Sequence, residues 1–203
     1  ESDLERNLDR SLACAFDETA SAAHRAHAAL LSAIVADNTC RFADLRRLND
    51  NVQTLPNSTP SVQANVLAVQ LVYHTVLGSL DSAFERSAEL VALERNAGSV
   101  RGLAQALRFS THSLRMLGKF HSALTAARDA LDLAEHHTLV GEAASAADTI
   151  LSIHLEKEDV GAAAAWIARS EALAPRVGAK YPSFSLAINR AMLSLLGSKP
   201  GAA

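Results

Sequence analysis

Four side chains suited to gripping an acidic group recur along one short stretch, LAQALRFSTHSLRML. They are Gln105, Arg108, His112 and Arg115, which stand at i, i+3, i+7 and i+10. Such steps place side chains on a single face of a helix. Leu103, Leu107, Leu114 and Leu117 fall on the opposite face. A guanidinium stays charged and grips a carboxylate in bidentate fashion. The stripe therefore suits a peptide carboxylate or a small anionic effector. Asn65 and Gln105 fall at the same phase of successive repeats, and so do Arg108 and Asp148. An Asn is suited to holding a peptide backbone. The candidate ligand- or peptide-binding groove is therefore Asn65, Gln105, Arg108, His112, Arg115 and Asp148. A structural role competes with it: Arg108 pairs with Asp148 on a neighbouring helix, and the stripe is simply solvated.

The corresponding positions of neighbouring helices are less polar. They are Ala68, Val72 and Thr75 upstream, Ser145, Ser152 and Leu155 downstream, and Phe184, Ala187, Ala191 and Ser194 near the end. No catalytic set stands out. The sequence holds no GxSxG, P-loop or HExxH motif. His24 and His27 sit at i, i+3 but have no acidic or Cys partner at i±4, so no metal site is expected there. His136 and His137 fall in a turn, and His74 and His154 fall on apolar helix faces. EKED (156–159) reads as a solvated turn. Trp166 reads as packing between repeats. The segment is expected to have no enzymatic activity, cofactor or metal.

The elements that position the stripe repeat. Gly78, Gly118 and Glu158 precede Leu80, Phe120 and Val160, and then Ala83, Ala123 and Ala163. Leu93, Leu133 and Leu173 are in register too. LGSKPGAA near the end resembles the start of a further copy, with Gly197, Pro200 and Ala202, and Ala43 is in phase near the beginning. Between copies lie LPNSTP (55–60), RNAGS (95–99), EHHT (135–138) and APRVG (174–178), which are helix-ending and turn-forming sequences. Each 40-residue unit thus holds a helix A, a tight turn and a helix B. The A helices are expected near 18–37, 60–77, 100–117, 139–156 and 182–196. The B helices are expected near 41–54, 81–95, 120–135 and 160–174, with a short helix at 2–14. The expectation is one domain over 1–203, with units 17–57, 58–98, 99–137, 138–178 and an incomplete 179–203. In LGKFHSALTAARDAL, Phe120, Ala123, Leu124, Ala127, Ala130 and Leu131 share one helix face. A lone hairpin cannot bury such faces, whereas stacked hairpins can.

Composition agrees with an all-α chain. Of 203 residues, 49% are apolar but only 4% aromatic, so the core must be built from Ala, Leu and Val. The net charge is −3 and the basic residues form no run. Direct nucleic-acid binding by this segment is thereby disfavoured. No apolar stretch reaches the roughly 18 residues of a membrane span. Cys14 and Cys40 form no CxxC, so a reduced, cytoplasmic setting is expected. The chain begins ESDLERNL, without Met, and ends where a next helix B would start. It reads as a piece of a longer protein.

The pattern G-x-[LF]-x-x-A followed by small residues, best in GKFHSALTAARDAL and next in GSLDSAFERSAEL, resembles the second half of a tetratricopeptide motif. The first-helix signature is weaker, and the period exceeds that of the standard motif. The long, Ala-rich repeats are similar to the bacterial sensor segments of MalT-type LuxR-family regulators and of GGDEF-linked signalling proteins. That resemblance implies antiparallel helix hairpins in a right-handed superhelix. It also implies a sensor or protein-interaction module for signal transduction or transcription regulation, whose output lies outside this chain. Its partner would be a protein, a peptide or a small anionic effector. The competing class is a structural dimerisation or scaffold module, a homodimer without a ligand.

Overall fold

The computed structural model describes residues 3–56, 59–177 and 183–198. Asn57, Ser58, Gly178, Pro200 and Ala202 lie outside the described residues, as does the Phe184 side chain. Ten helices and no strand form among the described residues. The chain divides into two compact units, Glu1–Gly98 and Ser99–Ala203. The first holds α1 (Asp3–Phe16), α2 (Ala22–Asn38), α3 (Phe42–Val52), α4 (Pro60–Val76) and α5 (Leu80–Asn96). The second holds α6 (Val100–Met116), α7 (Phe120–His136), α8 (Val140–Glu156), α9 (Val160–Val177) and α10 (Ser183–Gly197).

One backbone device builds the hairpins. Gly78, Gly98, Gly118, Thr138 and Glu158 all have left-handed φ, between 55° and 78°. They recur at one constant interval, and each helix from α4 to α8 has 17 residues. At Gly118 the turn closes by Gly118 N–H to Arg115 O at 2.9 Å and Lys119 N–H to Leu114 O at 2.9 Å. This is the Schellman arrangement, which caps the orphan carbonyls of a helix end. The residue that closes one helix also opens the next: Lys119 O accepts from Ala123 N–H at 3.0 Å. Sequence alone ties the glycine only to the turn from A to B. The structure shows the same left-handed φ between B and A helices, at Gly98 and Thr138.

Two ends depart from expectation. Helix α9 continues through Pro175 to Val177, past the expected stop at 174. Gly197 is the last residue of α10 and has no left-handed φ, so it does not copy the turns at 78 and 118.

In the first unit, α1 packs on α2, α2 on α3 and α4, and α4 on α3 and α5. Arg25 and Asn51 tie three of these helices together. The carbonyl of Ala15, near the end of α1, accepts from Arg25 Nε at 3.3 Å and Asn51 Nδ2 at 2.9 Å. Arg25 Nη2 donates to Asn51 Oδ1 at 3.0 Å. A cation there also meets the negative end of the α1 dipole.

In the second unit, consecutive helices pack antiparallel, and each A helix also touches the next: α6 with α8, and α8 with α10. The core joins Leu114 of α6 to Ala123, Ala127, Leu131 and Ala134 of α7 and to Ala143, Ile150 and Ile153 of α8. Burying one such Ile contributes about 1.5–3 kcal/mol. The alanines keep the helices close. Trp166 is partly buried against three apolar clusters of this unit, as the sequence suggests for a packing residue.

Candidate functional site

Helix α6 begins at Ser99, whose hydroxyl accepts from Gly102 N–H at 3.1 Å. Its buried residues are Ala104, Ala106, Thr111, Ser113 and Leu114. The remaining face carries the polar stripe. Gln105 is exposed, while Arg108, His112 and Arg115 are half-buried. Asp148 is half-buried on α8, the parallel neighbour. Five of the six candidate residues therefore belong to one unit. Asn65 does not: it is half-buried on α4 in the other unit. Its companions Ala68, Val72 and Thr75 are buried, and the Thr75 hydroxyl donates to Leu71 O at 2.8 Å.

The ion pairs between α6 and α8 follow a register that sequence reasoning missed. Arg101 Nε lies 3.0 Å from Glu142 Oε1, and Arg115 Nε lies 3.4 Å from Glu156 Oε1. Both pairs join residue i of α6 to residue i+41 of α8. The alternative role for Arg108, pairing with Asp148 at i+40, is not realised: among the described residues Arg108 makes no ion pair. Its guanidinium stands 4.8 Å from the ring centroid of Phe109. Burial lowers its pKa, and the charge of Glu142 partly offsets this. At i+41 from Arg108 stands Thr149, whose hydroxyl donates to Ser145 O at 2.8 Å.

His112 sits between the two arginines. Arg115 Nη2 lies 3.2 Å from His112 Nδ1. A guanidinium only donates, so Nδ1 accepts and the ring proton is on Nε2. Burial first, and then the charges of Arg115 and Arg108, lower the His112 pKa to about 4. The imidazole is therefore neutral at pH 7, and the stripe presents donors. Such a surface suits an anion.

The other histidines have local roles. His24 Nδ1 lies 3.0 Å from the Ser21 hydroxyl at the start of α2. His136 and His137 are exposed and stack edge-on at 4.9 Å. His154 is buried, with Nδ1 3.1 Å from Asp159 Oδ2, while Asp159 Oδ1 accepts from Ala162 N–H at 3.1 Å. These hydrogen bonds hold the Asp159 carboxyl below its usual pKa, that from Ala162 foremost. The imidazole and carboxylate thus fasten the α8–α9 turn. Among the described residues no group of three or more His, Cys, Asp or Glu side chains is placed to hold a metal, and no helix is long and apolar enough to cross a membrane.

The fold is an all-helical array of hairpin repeats. No family model matches the chain, and no curated protein matches it. Among solved structures it is similar to BtubC (BKLC) from P. vanneervenii, with a TM-score of 0.68 and 14% identity over 97% of this chain and 84% of that one. At that identity the likeness concerns the fold.

Proposed function

We propose that the second unit is a binding module for an acidic ligand, with no catalysis of its own, in a bacterial signalling or regulatory protein of the cytoplasm. One observation carries this: Arg108 is a half-buried cation on the polar face of α6, without an ion pair among the described residues. Desolvating a charge is unfavourable unless an opposite charge offsets it. An acidic peptide or small anionic effector would supply that charge. Ligand occupancy would alter the packing of α6 on α8 and pass to an output domain, as the resemblance to MalT-type and GGDEF-linked sensors implies. Direct nucleic-acid or membrane binding is no part of this proposal.

The test is calorimetric titration with a blocked hexaglutamate peptide, using hexaglutamine as control. Arg108→Ala should weaken hexaglutamate binding by about tenfold or more, as expected when a charge-assisted hydrogen bond is lost, and Arg115→Ala by less, because Arg115 is already paired with Glu156. Unchanged affinity in both variants would remove the groove as the site.

A second function rests on a different observation. Ile188, Met192 and Leu195 of α10 are exposed, and Met192 and Leu195 line a cavity of about 320 Å³ with Leu155 and Leu196, with Glu156 and Glu158 also at its wall. This apolar face favours the structural alternative, self-association as a homodimer or scaffold. Light scattering of wild type beside Leu195→Glu decides it: a concentration-dependent dimer lost in the variant supports self-association, and a monomer throughout excludes it.

A further inference from the structure

The contacts between α6 and α8 form an incomplete ladder. Arg101, Arg108 and Arg115 are spaced by sevens, close to two helical turns, and so lie on nearly one line along α6. On α8 the matching line is Glu142, Thr149 and Glu156. Each outer rung holds a carboxylate at ion-pair distance, 3.0 Å for Arg101–Glu142 and 3.4 Å for Arg115–Glu156, the latter without a hydrogen bond from Arg115 Nε. The central rung pairs Arg108 with a threonine whose hydroxyl is already committed to Ser145 O. Burial depresses the pKa of the central arginine.

We infer that a single carboxylate from the ligand completes this central rung, bound to the Arg108 guanidinium beside Thr149 and between the Arg101–Glu142 and Arg115–Glu156 pairs. The inference rests on the binding function proposed above and sharpens it to a ligand chemistry. In each flanking rung one arginine of α6 meets one carboxylate of α8. Glu142 and Glu156 are each paired with another arginine, although the charge of Glu142 also acts on Arg108. A carboxylate fits the planar guanidinium fork. It can come from an acidic peptide side chain or from a small dicarboxylic acid.

The experiment supplies the missing carboxylate from within. Thr149→Glu should close the rung, weaken binding of glutarate and of hexaglutamate by about tenfold or more, and raise the melting temperature. Thr149→Gln, equal in size but neutral, should bind within about twofold of wild type. Ser152→Glu adds the same charge one turn on and should weaken binding much less. Arg108→Gln should remove both the binding and the thermal gain of Thr149→Glu. Glutarate binding as tightly as hexaglutamate points to a small-molecule source, and much tighter hexaglutamate binding to a peptide. Hexaglutamate binding that falls in Arg115→Gln but ignores Thr149→Glu would overturn the rung and leave the groove. Equal weakening by Ser152→Glu and Thr149→Glu would overturn it too. Failure of wild type to bind either probe would overturn both proposals.

Discussion

Helices α4 and α6 occupy the same place in successive repeats, and each has 17 residues. Their turns match, with Gly78 and Gly118 in the same left-handed conformation. Their outer surfaces do not. In α4 the buried set includes Val62, Ala64, Val66, Ala68, Val69, Leu71, Val72 and Thr75, which leaves no continuous polar face. In α6 the buried set shrinks, and Ala68 and Val72 are replaced in register by Arg108 and His112. The repeat therefore constrains the turn and the face toward the helix's own partner. The remaining face is free to vary, and a binding function can arise there without disturbing the hairpin.

Exchanging the two helices' residues breaks the comparison most severely. Ala68 is 2% exposed. Ala68→Arg should cost about 4 kcal/mol in urea unfolding, because the new cation is buried without a partner. Arg108→Ala should change stability by no more than about 1 kcal/mol, since no native ion pair is lost. A mild Ala68→Arg would show that the α4 face can open.

The next effect belongs to α6 alone. His112 has its pKa lowered from 6.5 to about 4 in the folded chain. Between those values the unfolded chain binds the proton and the folded chain does not, so stability is complete above pH 6.5 and falls as pH drops toward 4. The loss is on the order of 3 kcal/mol. His112→Gln should flatten that part of the profile, which unfolding measured at about pH 7 and about pH 4.5 would reveal.

Smaller effects sharpen what the two helices share. A Cβ at Gly118 meets nothing within 4 Å, so Gly118→Ala is penalised only through its left-handed φ, by about 1 kcal/mol. Glu158, with φ of 56°, should respond in the opposite sense. Glu158→Gly relieves that strain and raises thermal stability by up to about 1 kcal/mol.

Most of the fold was legible in the sequence. Apolar periodicity and turn residues located the helices to within a few residues, because both follow from local chemistry. The turns at Thr138 and Glu158 were harder to see, since neither residue advertises a left-handed conformation. The stripe on α6 was legible for the same reason as the helices. Its partners were not. A neighbour offset of 40 points to Asp148, whereas side-chain packing between α6 and α8 runs at 41 and brings in Glu142, Thr149 and Glu156. That single step of offset depends on how two helix surfaces interlock, which no local pattern encodes. The signal that could have revealed it is the spacing itself: Arg101, Arg108 and Arg115 by sevens, Glu142 and Glu156 by fourteen.

Arg108, unlike its two neighbours on the ladder, awaits a carboxylate. The most direct measurement of this is the arginine Nε–H NMR signal of each rung during titration with glutarate. The Arg108 signal should shift saturably while those of Arg101 and Arg115 stay nearly still. An Arg108 signal that does not move, or that moves no more than the other two, would contradict the open central rung.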